Sequence, residues 1–291
     1  MGGELPLPFS PKPDDHTPMR VSEQPKAREV FDQRMAQWRA YKAAPWGRLR
    51  FLIVAHTLST SISRLGGGSW RILDAGGGDG GDALPLAVAG HSVTVLDPSA
   101  PMLEALKQDA ADAGVGDRIA DVKGDIDSIA ALDLRDFDLV LCHFVLQYLD
   151  DLDGPLAKLV SAVRPGGYLS LIAPNRPGEV LARAARGVDP AAAFALLDTE
   201  SNRTLTFDHA VRRIDAETAL DALERAGCEP IARFGGRIIN DLLTDSAPKA
   251  DPAFFADLLR LEKAVCDREP YLRAGMFWQL VARKGLYTDR L

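Results

Sequence analysis

Asp74, Gly76, Gly78 and Gly80 spell D-x-G-x-G-x-G within LDAGGGDGGDAL, and Asp97 closes a later apolar run, HSVTVLD. Glycines there permit positive φ and let a ligand approach the backbone, while the start of the helix that follows presents N–H groups with no partner inside the helix. Asp97 lies 21 residues beyond Gly76, a spacing at which a carboxylate accepts hydrogen bonds from a ribose diol. The combination predicts a nucleoside-binding site. Gly76, Gly78 and Gly81 also satisfy G-x-G-x-x-G, so the loop alone fits a nicotinamide dinucleotide as well as S-adenosylmethionine.

These residues need a frame that holds them at one edge. Residues 1–26 are rich in Pro and Asp without periodicity and are expected to be a tail with no fold of its own. Residues 27–66 place Val30, Met35, Trp38 and Tyr41 at roughly helical spacing and continue beyond Pro45, which predicts a cap of two helices. From residue 67 a short apolar strand meets the glycine cluster, then a helix, then HSVTVLD, the pattern of a βαβ unit. Further strands follow near 119–123, in FDLVLCHFVLQYL, in YLSLIAPN, in PIARFGGRII and in MFWQLVARK, with helices between them. That alternation predicts an α/β, doubly wound, mostly parallel sheet over 67–291, with a helical cover over the ligand edge at 175–215.

Two downstream motifs narrow the choice: D-x-S-x-x-M-L at Asp97, Ser99, Met102 and Leu103, and R-P-G-G from Arg164 to Gly167. With them, roughly residues 71–173 resemble the class I S-adenosylmethionine-dependent methyltransferases. The resemblance implies S-adenosylmethionine as cofactor and a Rossmann-like sheet of seven strands, the last one antiparallel. It also implies cofactor-binding roles for Asp74, Gly76, Gly77 and Gly78, with Asp97 on the ribose, Met102 beside the adenine, and Asp125 with Ile126 at the adenine edge. Several segments are similar to one subgroup, the tRNA 5-carboxymethoxyuridine methyltransferases, which esterify a carboxylate on the wobble uridine. They are RILDAGGGDG, AGHSVTVLDPSAPML, FDLVLCHFVLQYL, RPGGYLSL with Asn175, and LEKAVCDREPYLRAGMFWQLVARK. By this similarity Arg50 would bind the cofactor's carboxylate and His143 would line the methyl-transfer pocket. Arginine suits the first task through paired charge-assisted hydrogen bonds. His143 ends an apolar strand, where open α/β sheets bind ligands, while Cys142 points to the other face and belongs to the core.

Methyl transfer to a carboxylate needs no strong base, because that nucleophile is ionised at neutral pH; a hydroxyl or phenol acceptor would make His143 the candidate base. Position at the ligand edge nominates Asn175, Arg176, Arg237, Asn240 and Tyr271 for acceptor recognition. The subgroup carries a lysine-rich run in its cover, whereas this chain reads FALLDTESNRTLTFD there, and its net charge is −7. No basic patch for RNA is evident. The leading expectation is therefore O-methylation of a carboxylate or hydroxyl on a small-molecule or natural-product acceptor, with the tRNA wobble nucleoside as alternative. A nicotinamide-dependent oxidoreductase and a non-catalytic cofactor-binding protein are the readings from other classes. Three cysteines without ligand spacing predict reduced thiols, no metal site and a cytoplasmic protein; no apolar run reaches the ~18 residues of a membrane span.

Overall fold

Ile72 and Leu73, Val93, Val95 and Leu96, and the run from Leu139 to Cys142 are all buried. Successive strand residues face opposite ways, so burial of adjacent positions means that both faces are covered. The computed structural model describes residues 35–199, 201–204 and 209–286; the expected tail and the first residues of the cap lie outside them.

Two helices come first, α1 (Met35–Ala43) and α2 (Pro45–Arg64). Pro45 begins α2 because the first helical position has no use for its missing N–H. The sheet and its helices follow as β1 (Arg71–Ala75), α3 (Ala83–Val88), β2 (Ser92–Asp97), α4 (Ala100–Asp112), β3 (Ile119–Lys123), β4 (Phe137–His143), α5 (Asp153–Ala162) and β5 (Val163–Pro174). Next come α6 (Arg176–Ala185), α7 (Pro190–Ala195), β6 (Ser201–Thr204), β7 (His209–Arg212), α8 (Ala216–Arg225), β8 (Cys228–Gly236), α9 (Pro252–Val265) and β9 (Phe277–Lys284).

Seven strands form one sheet in the order β3-β2-β1-β4-β5-β9-β8. β9 runs antiparallel to both β5 and β8, and the other pairings are parallel, as the sequence implies. The order reverses at β1 and β4, the switch point beyond which ligands bind in open α/β sheets. Among the described residues no helix is long and apolar enough to cross a membrane. All three cysteines are buried and free.

One expectation needs correction. The cover is helical only in its first half; β6 and β7 then pair antiparallel as a separate two-stranded sheet. Ser201, Asn202, Thr204 and Val211 are types whose side chains compete with helical hydrogen bonds or favour a pleated backbone. The segment is tied down at its end, where Arg212 Nη1 donates to the carbonyls of Leu149 and Asp150 and Trp278 Nε1 donates to the carbonyl of Ile214.

Candidate active site

The loop after β1 is shaped by glycine. At Gly76 φ is +79°, and a Cβ there would lie 2.4 Å from Val145 Cγ2, so the turn hugs the segment beyond β4 too closely for any side chain. At Gly78 φ is +55°, and a Cβ would find nothing nearer than Met102 Sδ at 3.9 Å and Asp97 Oδ2 at 4.0 Å. The backbone is thus open toward the mouth of the sheet. Asp97 Oδ2 accepts from Gly78 N at 2.9 Å and Oδ1 from Ser99 N at 2.8 Å, which fixes the carboxylate at the end of β2. Met102 is buried beneath it on α4, whose first turn is capped by Ser99 Oγ. Beyond β3, exposed Asp125 accepts from Ser128 N at 3.1 Å and buried Ile126 follows it. The expected cofactor residues from the ends of β1, β2 and β3 therefore share one edge.

Beneath the loop Asp74 is fully buried, and its Oδ2 has no hydrogen-bond partner among the described residues. Burial first, then the nearby Asp82 carboxylate, hold its pKa well above the usual carboxylate range. Above the loop Asp79 accepts from Trp38 Nε1 at 2.9 Å and Lys42 Nζ at 2.8 Å, so α1 is fastened over the glycines.

Arg50 and His143 are brought together by Asp82, which the sequence reading did not single out. Arg50 Nη1 and Nη2 each donate to one oxygen of Asp82 at 2.9 Å, and His143 Nδ1 lies 2.9 Å from Oδ2. With Nδ1–H donating to the Asp82 carboxylate, Nε2 is left to accept from Ser170 Oγ at 2.9 Å. Ser170 Oγ in turn accepts from Gln279 Nε2 at 3.0 Å, and Gln279 Oε1 accepts from Thr57 Oγ1 at 2.6 Å. Five elements of structure are thereby joined through one directed chain. Burial lowers the His143 pKa, opposed by the hydrogen bond and charge of Asp82. Burial raises the pKa of Asp82, but the Arg50 guanidinium and His143 outweigh it and bring the net shift down. The Arg50 guanidinium also lies over the rings of Phe51 and Phe144 at 4.1 and 4.8 Å. Phe144 itself has φ +57°, a strained conformation for a bulky residue and one often found beside functional sites.

In this arrangement both ring nitrogens of His143 are hydrogen-bonded within the protein, and the paired N–H groups of Arg50 lie on Asp82. The acceptor nominations fare unevenly. Asn175 Nδ2 donates to the carbonyls of Arg273 and Gly275 at 2.9 and 2.7 Å, so its amide docks α6 onto the turn before β9 rather than facing a ligand. Gly178 completes that docking, since a Cβ would stand 2.0 Å from Gly275 O. Arg237 is buried and paired with Asp241 through two hydrogen bonds, with Asn240 Nδ2 donating to the same carboxylate at 2.9 Å. Glu262 accepts the N–H groups of Ile238, Ile239 and Asn240, closing this as a structural cluster. Tyr271 is half-exposed on the turn Tyr271–Ala274. Arg176, by contrast, stands at the start of α6 with Nη1 on the carbonyl of Leu197 at 2.7 Å and a buried Nε that has no hydrogen-bond partner among the described residues.

The family described as a methyltransferase domain matches residues 72–167. The tRNA 5-carboxymethoxyuridine methyltransferase of Escherichia coli (strain K12) is 33% identical over 245 residues, 84% of this chain and 92% of that protein. The chain belongs to the class I S-adenosylmethionine-dependent methyltransferases. A malonyl-[acyl-carrier protein] O-methyltransferase of Enterobacter lignolyticus is 40% identical over 101 residues, 34% of this chain and 37% of that protein. Among solved structures, magnesium protoporphyrin IX methyltransferase from Synechocystis PCC 6803 with bound SAH shares the fold at TM-score 0.58 and 14% identity, over 89% of this chain and 97% of that one.

The residues of the methyltransferase fit its cofactor. Asp97 offers lone pairs to a ribose diol while two N–H groups hold it, and the open face of Gly78 admits a nucleoside against the backbone. The orphaned Oδ2 of Asp74 beneath the same loop is a polar atom still in want of a partner. What sequence reasoning missed in this enzyme is mostly partners distant in the chain: Ser170, Gln279 and Thr57 bear no local mark. Asp82 did carry a signal, as a second acid in GDGGD at the start of a helix.

Proposed function

We propose that the enzyme methylates a carboxylate, and that the acceptor is the 5-carboxymethoxy group of the tRNA wobble uridine. The observation that carries this reading is the extent of the similarity to the Escherichia coli enzyme. The aligned 245 residues cover 84% of this chain, so the similarity reaches well beyond the matched domain at 72–167 and across 175–215, a connection at the ligand edge of the kind that varies with the acceptor. The proton economy of the site agrees with it. A carboxylate attacks as the ionised form, so no base is needed, and His143 with both nitrogens engaged is not positioned to act as one.

Bound S-adenosylmethionine supplies an electrophilic methyl group on a sulfonium. The glycine loop and Asp97 would hold the nucleoside, and the Arg50–Asp82–His143 group fixes α2 against β4, beside the segment Phe144–Val145. Such positioning, with water excluded, supplies on the order of 7–11 kcal/mol of a displacement barrier.

A small-molecule carboxylic acid is the second reading, favoured by the lack of a lysine run in the cover and by the net charge of −7. Transfer of labelled methyl from S-adenosylmethionine to bulk tRNA carrying unesterified 5-carboxymethoxyuridine, followed by nucleoside analysis, decides between them. Label in the uridine ester is the expected result. Cofactor binding without label in tRNA, together with label in a panel of small carboxylic acids, would overturn the tRNA reading in favour of the second.

A further inference from the structure

A group of buried charges at the acceptor edge is used by nothing described so far. Arg213 follows β7, and its place is set from both sides by the bonds of Arg212 to the loop beyond β4 and of the Ile214 carbonyl to Trp278. Its side chain is 4% exposed and ion-paired with the equally buried Glu179 in the first turn of α6. Beyond that contact, which Nη2 makes, Nε and Nη1 of Arg213 have no hydrogen-bond partner among the described residues, and neither does Nε of Arg176. The charges that bear on Arg213 are Glu179, Arg176 and Asp215, with Asp215 Oδ2 lying 3.6 Å from Arg176 Nη2.

Two guanidinium groups and two carboxylates balance in charge, so what remains unmet is directed acceptance of N–H groups. Buried polar groups without partners are rare enough in folded proteins to call for a ligand or a function. The planar fork of arginine matches a group with two coplanar oxygens, and the neighbours of Arg213 bond to the loop beyond β4 and to Trp278, which pairs with Ala173 near the carboxyl end of β5, the edge at which open α/β sheets bind ligands.

We propose that Arg213, with Arg176 beside it, receives the carboxylate of the acceptor and orients the oxygen that takes the methyl group. This rests on the carboxylate-methylation reading above. One carboxylate oxygen stays on the guanidinium while the other bonds to the methyl carbon as the carbon–sulfur bond breaks. The sulfur keeps that electron pair and becomes a neutral thioether, and no proton moves. The ester product has lost its charge, so the arginines hold it less tightly than the acid and release follows from the chemistry.

The test compares the wild type with Arg213→Gln and Glu179→Gln, using tRNA that carries unesterified 5-carboxymethoxyuridine. Arg213→Gln is expected to raise KM for tRNA at least tenfold while the Kd for S-adenosylmethionine stays within twofold. Glu179→Gln, which removes the nearest competing carboxylate, is expected to leave that KM unchanged or lower it. Equal damage in both variants, with KM unchanged in the folded fraction, would mean a structural ion pair only and would overturn the proposal. Should Arg213→Gln not fold, Arg176→Gln is read by the same KM criterion. If the wild type labels no tRNA, the tRNA reading fails separately, and acetate and benzoate are then tested for thermal stabilisation of the S-adenosylhomocysteine-loaded proteins. Stabilisation of the wild type that Arg213→Gln abolishes supports the arginine site; equal response, or none, overturns it.

Discussion

Gly76 and Arg213 stand on the same edge of the sheet, and their surroundings are made of different material. Around Gly76 the ligand-facing surface is backbone: positive φ angles, a wall at Val145, and a carboxylate at Asp97 held by two N–H groups. Around Arg213, the acceptor site proposed above, the surroundings are long side chains carried by a helix and the segment after a hairpin, with Nε and Nη1 unpartnered among the described residues. A surface of backbone admits one ligand shape and cannot be altered one residue at a time. A surface of side chains can be changed without touching the sheet, which is why one cofactor site can accompany many acceptors.

Mutations can break this contrast or sharpen it. The largest effect is expected at the seam between the two regions, where Asp82→Asn removes the negative charge and replaces one of the two oxygens that Arg50 and His143 share by a donor. Removing one member of a buried ion pair costs about 3–5 kcal/mol, readable as a fall in the free energy of urea unfolding; a loss below about 1 kcal/mol would show that Asp82 is not what joins them. At the cofactor edge Gly76→Val must place a side chain at positive φ inside Val145. Its Kd for S-adenosylmethionine, measured by calorimetry, should rise roughly a hundredfold or more, and retention of wild-type affinity would contradict a backbone-built site. Gly178→Ala pushes α6 away from Gly275. We expect about a tenfold loss in kcat/KM for the acceptor with cofactor affinity within twofold; parallel losses in both would erase the distinction between the regions.

The smallest effect concerns pH. Because the folded-state pKa of His143 is lowered, the unfolded chain binds more protons below its ordinary value of about 6.5, and stability falls as the pH drops from there through the folded-state value. His56 and His91 are shifted in the same direction by burial and contribute a share. His143→Gln should therefore lose less stability than the wild type between pH 7 and 5 in urea titrations. Identical slopes would mean that His143 is not held neutral in the fold.

The cofactor edge was legible because its chemistry is local. The glycines, Asp97 and the D-x-S-x-x-M-L run sit within thirty residues of one another, and strand–helix alternation placed them at one end of the sheet. The acceptor edge was not, because its partners are set by tertiary packing. Arg237 follows β8 as expected but turns inward to Asp241 only four positions on, a pairing that a surface reading could not choose over a ligand. Arg213 has no motif at all; its significance lies in the bonds of its neighbours to Leu149, Asp150 and Trp278. The hairpin in the cover was missed because alanine-rich flanks suggested helix across a stretch whose later residues disfavour it.

The hydrogen bond between Thr57 and Gln279 spans 222 residues of chain. A ribosome adding about 5–20 residues per second needs on the order of 10–40 s to make the second partner after the first. From the completion of β5 at Pro174 until β9 begins at Phe277, β5 has an open edge on the side that β9 will occupy, between β5 and β8. The bond from α2 to β9 therefore closes long after the contacts that tie the same helices to the cofactor loop through Asp79 and Asp82. The newborn chain must keep that edge from pairing with a neighbour until its own last strand arrives.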